Sequence, residues 1–224
     1  IRLEPGDTNL GRLAAADAIA EDVMAGRRDI VEGLRDMRAL DRRPRRFART
    51  LSILSFGLAS ASVAGLLART GWADLCAAAV LGTLIGALTE FSKTRPRWAA
   101  AYEAFAAFIV TVAASAVACF IAPLSTQGVI IASLIVLMPG LALTNAVAEL
   151  ANQQLVSGTA RFAGALTVLL KLTFGTVAGA HVVGLLGWEP LSNSAANVLP
   201  TWVPWLTLLA GSFAFSILFK SSRR

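Results

Sequence analysis

The stretch that decides the fold is Ile135–Arg161, IVLMPGLALTNAVAELANQQLVSGTAR. It opens as membrane-grade apolar sequence and breaks at Pro139-Gly140. Beyond the break, Asn145, Glu149 and Asn152 recur at i, i+4 and i+7, which on a helix is one face. Ser157-Gly158 and a lone Arg161 close it. A one-sided polar stripe is unusual in lipid, so the first question is whether the flanking sequence crosses a membrane.

Composition answers it. Hydrophobic residues make up 56% of the 224 and charged residues only 15%, with a mean hydropathy of +0.65. Soluble domains carry roughly 25% charged residues, so a polytopic membrane protein is expected. The formal charge is +6, and nine of the seventeen arginines fall between Arg27 and Arg49, directly before the first apolar run. That cluster fits nucleic acid or a juxtamembrane polybasic segment; the apolar run behind it favours the second, so no nucleic-acid partner is expected. Cys76 and Cys119 both sit in apolar runs without metal-ligand spacing and read as small packing residues. No metal cluster, nucleotide loop or Ser/His/Asp arrangement points to an enzyme or a cofactor. The first residue is Ile1, which implies that natural N-terminal sequence has been cut away.

Residues 1–48 read as a soluble helical segment. Asp7 or Thr8 caps a helix from about Asn9 to Ala25, Gly26 interrupts it, and a second amphipathic piece sets Ile30, Val31, Leu34, Met37 and Leu40 against Arg and Asp until Pro44. Hydrophobic spans follow at 51–68, 72–91, 99–122, 128–150, 162–187 and 201–219, each near the ~20 residues needed to cross ~30 Å. The expected fold is therefore an all-α polytopic bundle of about six transmembrane helices. It divides into a cytoplasmic segment (1–48), a five-helix bundle (49–187) and a sixth helix (201–219). Cations gather before span one, between two and three (Lys93, Arg95, Arg97), between four and five (Arg161) and after six (Lys220, Arg223, Arg224). The opposite gaps hold Arg69 alone, so both ends of the chain are expected in the cytoplasm. Trp72, Trp98, Trp188, Trp202 and Trp205 fall at span ends as interfacial anchors. The small-xxx-small pairs Gly82/Gly86 and Gly175/Gly179 allow close helix approach.

Three features are costly in lipid. Pro139 lies about eleven residues into span four, near the midplane at ~1.5 Å per residue. The break there is either a kink satisfied by neighbours or an exposed half-helix N-terminus suited to a carboxylate. Lys171 falls at similar depth in span five, where a charge costs roughly 2.5–3.5 kcal/mol, so it should face protein or a water-filled cavity. Its bland role is an ion pair with Glu149 or Glu90; its functional role is in a transport pathway. His181, the sole histidine, is either a proton carrier or a packing residue. Glu90 and Glu103 read as interfacial.

LMPGLALTNAVAELANQQLVSGTARFAGAL (137–166) resembles the signature segment of the threonine/serine exporter family, and RLAAADAIAEDVMAGRRDIVEGL (12–34) resembles its cytoplasmic helical region. The resemblance covers most of residues 10–220. It implies proton-driven export of threonine and serine across a bacterial cytoplasmic (inner) membrane, by antiport with protons. It also implies a second membrane half, fused or as a partner subunit, of which span six is the first helix; the chain would then be truncated at both ends. The positions that match are Pro139, Gly140, Asn145, Glu149, Gly158 and Arg161; Lys171 and His181 are added on membrane cost alone. A dicarboxylate such as succinate is an alternative substrate, and a non-transporting membrane scaffold that docks a partner through residues 1–48 is an alternative role. Oligomeric state stays open, with a homo-oligomer allowed.

Overall fold

The computed structural model describes residues 10–42, 49–67, 71–92, 95, 98, 101–189 and 199–219. The expected cap at Asp7 or Thr8, the stop at Pro44, and Arg69, Lys93, Arg97, Lys220, Arg223 and Arg224 lie outside these residues. All regular elements among the described residues are helical. They are α1 (Leu10–Met24), α2 (Ile30–Arg42), α3 (Arg49–Leu66), α4 (Trp72–Ser92), α5 (Tyr102–Phe120), α6 (Thr126–Leu134), a 3-10 turn (Ile135–Leu137), α7 (Gly140–Ala151), α8 (Leu155–Leu185) and α9 (Val203–Leu218).

Helices α3, α4, α5 and α8 are each long and apolar enough to cross a membrane. The expected fourth span is not one straight helix: Thr126–Leu137 and Gly140–Ala151 meet at 60°. The expected sixth, α9, is a shorter apolar helix of 16 residues. Hydroxyls inside these apolar helices mostly satisfy themselves by donating to the carbonyl one turn back. Ser55 donates to Leu51, Ser62 to Leu58, Thr83 to Ala79 and Thr111 to Ala107, so they add little cost in lipid.

Small residues set the packing. Helices α3 and α4 form a tight antiparallel hairpin: a Cβ on Gly57 would overlap Thr83, one on Gly82 would overlap Ser60, and one on Gly86 would press on Phe56. On the other side of α3, Gly65 meets Thr207 and Gly211 meets Ser62, so α9 also runs antiparallel to α3. The nine-residue α6 packs among α3, α4 and α5. Its Val129 and Leu134 join Phe56, Leu81, Ile85, Val110, Ala114 and Leu172 in the main buried cluster.

The pairing of α5 with α8 is the most informative. Glu103 faces Lys171, Ala107 faces Gly175, Thr111 faces Gly179 and Phe120 stacks edge-on against Trp188. The offset along the chain is 68 residues at every step, so the two helices run parallel and in register. A chain that leaves α5 at one side of the membrane must therefore be carried back before α8 begins. The bent α6–α7 pair is that return, which makes it a broken span rather than a loop that re-emerges where it entered.

At the α5-exit side, Asp74 is 2% exposed. Its carboxylate accepts the Gly71 amide at 2.7 Å and the Ser125 amide at 2.8 Å. One carboxylate thus joins the start of α4 to the start of α6, with charge-assisted bonds that are stronger than neutral ones. The tryptophans hold their expected places at helix ends, with Trp72 opening α4 and Trp202 capping α9. The cysteines depart from expectation: Cys76 is exposed on α4 rather than packed, and Cys119 is only half-buried. Their small apolar character is tolerated on an outward face as readily as in a core.

Gly175 and Gly164 lie on the same helix and separate the packing effect from backbone effects. A Cβ at Gly175 would run into the Ala104 carbonyl, whereas one at Gly164 meets nothing within 4 Å. Gly175→Ala should cost about 1–3 kcal/mol by overpacking and lower the thermal unfolding midpoint in detergent, and Gly164→Ala should leave it unchanged or raise it.

Candidate functional site

The break is built by local chemistry. Proline has no N–H, so the helical ladder of α6 cannot run through position 139. The chain tightens into the 3-10 turn, Met138 becomes extended at φ −68°, ψ 130°, and its N–H donates to the Ile135 carbonyl at 3.2 Å. Pro139 then opens α7, whose first full-turn bond runs from the Leu143 amide to the Pro139 carbonyl at 2.9 Å. Among the described residues no side chain caps this terminus, and the Gly140 amide turns back to the Met138 carbonyl at 2.8 Å, so the amides that follow it in the first turn and the positive end of the α7 dipole are the polar groups the break presents. Gly140 is exposed, and a Cβ there would meet nothing within 4 Å. Its value is therefore neither a tight contact nor a left-handed backbone.

Asn145 and Asn152 are exposed on α7, while Glu149 is half-buried. Gln153, the one non-glycine residue with positive φ (61°) among the described residues, turns the chain between α7 and α8. This turn brings Gly158 under Leu150, where a Cβ would crowd the Leu150 side chain at 2.8 Å. With that close approach, Arg161 Nε reaches Glu149 Oε1 at 3.0 Å. The other carboxylate oxygen, Glu149 Oε2, is buried and has no hydrogen-bond partner among the described residues. Ser133 Oγ, just before the break, is in the same condition.

Lys171 pairs with neither Glu149 nor Glu90. Its Nζ lies 3.4 Å from Glu103 Oε2, in the first turn of α5. The reason is the length of α8, which starts at Leu155 rather than near 162 and runs for 31 residues, about 46 Å. Lys171 is central in α8 yet level with the entry end of α5, not with its middle. Beside it, Tyr102 and Thr89 share a short hydroxyl–hydroxyl bond, and Glu90, 9% exposed at its side chain, takes Arg49 Nε at 3.4 Å. The entry ends of α3 and α5 and the exit end of α4 thus carry a polar layer, at the interfacial level expected for Glu90 and Glu103, whose pairings the individual spans did not foretell.

The eight positions singled out in the sequence do not converge on one point. Pro139, Gly140, Asn145, Glu149, Gly158 and Arg161 belong to the break and the α7–α8 hairpin. Lys171 lies ten residues beyond Arg161, about 15 Å along α8, in the Glu103 pair. His181 is exposed on α8, turned away from the Gly175/Gly179 seam. Sequence reasoning passed over Asp74 and Tyr102 and did not link Glu103 to Lys171. Asp74 stands two residues after Trp72, in the first turn of a span, and that placement was the available signal.

Residues 1–183 match the sequence model of the family described as "Putative threonine/serine exporter". The chain belongs to the threonine/serine exporter family. Curated relatives are fungal. An uncharacterized protein of Schizosaccharomyces pombe is 26% identical over 228 residues, covering 96% of this chain and 29% of the relative. "Pheromone-regulated membrane protein 10" of Debaryomyces hansenii is 26% identical over 195 residues, covering 83% of this chain and 19% of the relative. The chain therefore spans less than a third of the length of these relatives. No solved structure matches it significantly. Family and apolar helices together make it a membrane protein.

Lys171 and Glu103 have 33% and 21% of their side-chain surface exposed, so solvent screens the pair in part. Lys171→Met should cost about 1–2 kcal/mol by stranding Glu103. Lys171→Met with Glu103→Gln should recover most of that in thermal unfolding, and a double variant no better than the single would disprove the coupling.

Proposed function

We propose that this chain forms the substrate-handling half of a secondary exporter of small hydroxy amino acids, threonine and serine, driven by the proton motive force. The observation that carries the reading is the broken span: an uncapped α7 N-terminus at Pro139-Gly140, inside a member of this family. Such half-helix ends favour a substrate carboxylate. Asn145 is the polar group on the same helix that would meet the rest of the substrate. Glu149 is the proton-carrying candidate, because Oε2 is buried without a hydrogen-bond partner among the described residues while Oε1 holds Arg161. Protonation would release Arg161 and free the α7–α8 hairpin to move.

In this reading the side at which α3 and α5 begin is the cytoplasm. The lightly covered outer faces of α7 and α8 would pack against a further membrane half, and alternating access would rock one half against the other. His181 plays no part in the first step proposed. The dicarboxylate alternative finds less support, since Arg161 and Lys171, the cations it would use, are both engaged by carboxylates.

The test is efflux of labelled threonine from vesicles holding the full protein under a proton gradient. Glu149→Gln should slow efflux about a hundredfold or more, the order expected for a lost proton-transfer group, and flatten its dependence on pH. Unchanged rate and pH profile would remove Glu149 from the mechanism. Competition by succinate in place of serine would transfer the site to dicarboxylates.

A further inference from the structure

Helix α2 leaves an apolar stripe uncovered. It packs against α1 through Gly33, where a Cβ would sit 2.6 Å from the Val23 side chain and 3.8 Å from Ile19, and through that half of the hairpin Leu40 is buried. Ile30, Leu34 and Met37, at i, i+4 and i+7, form a neighbouring stripe that α1 does not cover. They are 73%, 51% and 39% exposed, and Met24 at the turn is 80% exposed. At 100° per residue the stripe lies roughly 70° around α2 from the Gly33–Leu40 line, so α1 lies beside it rather than beneath it.

Charge is distributed about this stripe asymmetrically. Arg35 and Arg38 flank it on the side away from α1, with Val31 between them and 69% exposed. Neither arginine takes part in an ion pair among the described residues. Glu32 and Asp36 fall on the far side of the helix, and Asp36 is held by Arg28 at 2.8 Å, which also reaches Asp22. An apolar stripe edged by arginines, with Glu32 and Asp36 turned away and Asp41 alone on its line, at the C-terminal end of α2, is the pattern of a helix lying in a membrane interface.

The connection to α3 brings such a surface within reach. Six residues separate Arg42 from Arg49, where α3 starts, and three of the six are arginines. That linker extends at most about 25 Å. The hairpin is therefore confined to the polar boundary of the leaflet that α3 enters. We propose that α2 lies flat on the anionic lipid surface of that leaflet, with Ile30, Leu34 and Met37 inserted below the headgroups and Arg35 and Arg38 on lipid phosphates. This surface is separate from the transport pathway and does not depend on what the protein carries.

The experiment uses the full protein with Cys76 and Cys119 replaced by alanine, carrying a nitroxide through Leu34→Cys or, on the opposite face, Ala39→Cys. It is reconstituted in phosphatidylcholine vesicles with and without phosphatidylglycerol. With the anionic lipid, the label at 34 should collide preferentially with oxygen and the label at 39 with a water-soluble nickel chelate. Arg35→Gln with Arg38→Gln should shift position 34 towards water, about fivefold in the seated-to-lifted ratio for each arginine removed, and high salt should do the same. A label at 34 that is open to nickel in anionic vesicles, or indifferent to lipid charge, overturns the proposal. A label closed to both quenchers also overturns it, because the stripe would then be covered by protein, whether a second copy or another partner.

Discussion

The glycine seam between α5 and α8 is the constraint from which the rest of the architecture follows. With hydrogens at positions 175 and 179, the two backbones approach so closely that Ala104, Ala107 and Thr111 have one allowed register. Lipid offers no hydrophobic drive to bring two apolar helices together, so close van der Waals contact of this kind is what holds them. Because the seam is parallel, the chain between the helices has to recross the membrane. It has only Thr126–Ala151 with which to do so, and this segment is broken by a proline. The break thus lies on an obligatory path rather than in a dispensable loop.

The charged contacts that tie α3, α4, α5 and α6 together lie at the two ends of the bundle that this seam organises. At the α5-entry side, Arg49–Glu90, Thr89–Tyr102 and Glu103–Lys171 link four helices through side chains. At the other side, Asp74 does comparable work with two backbone amides. The difference is physical. Ion pairs at half-exposed positions are weakened by water and by the entropy of long side chains, and so can exchange partners. A buried carboxylate with two short amide bonds has no such freedom, so the α4–α6 corner is the firmer of the two ends.

Much of this architecture was legible in the sequence. Residues Leu10–Met24 and Ile30–Arg42 came out within a residue or two of their helical patterns, split at Gly26, whose φ is +69°. Spans one, two, three and five, the break at Pro139 in span four, and the packing roles of Gly82, Gly86, Gly175 and Gly179 were readable because each is a local property of composition or spacing. What escaped was mutual depth. Hydropathy marks where lipid-compatible sequence begins, not where a helix begins, so α8 was expected near Phe162 although it forms from Leu155. The expected partners of Lys171 were therefore Glu149 or Glu90, whereas it pairs with Glu103 in the first turn of α5. The Glu149–Arg161 pair was hidden for a related reason: it depends on Gln153 adopting positive φ, which glycine or asparagine would have announced and glutamine does not.

The length of α8 has a mechanical consequence. Only its second half is gripped by α5; the segment from Leu155 to about Lys171, which is level with the first turn of α5, projects past that end as an uninterrupted helix, about 24 Å long, and the seam at Gly175 lies about 30 Å from Leu155. A stiff rod clamped at one end is a lever. A tilt of about 10° at the glycine seam would sweep Leu155, and with it the α7 hairpin, through about 5 Å, a displacement close to one helical turn. Motions too small to disturb the close-packed centre would thus become motions large enough to open or close a passage at the rim.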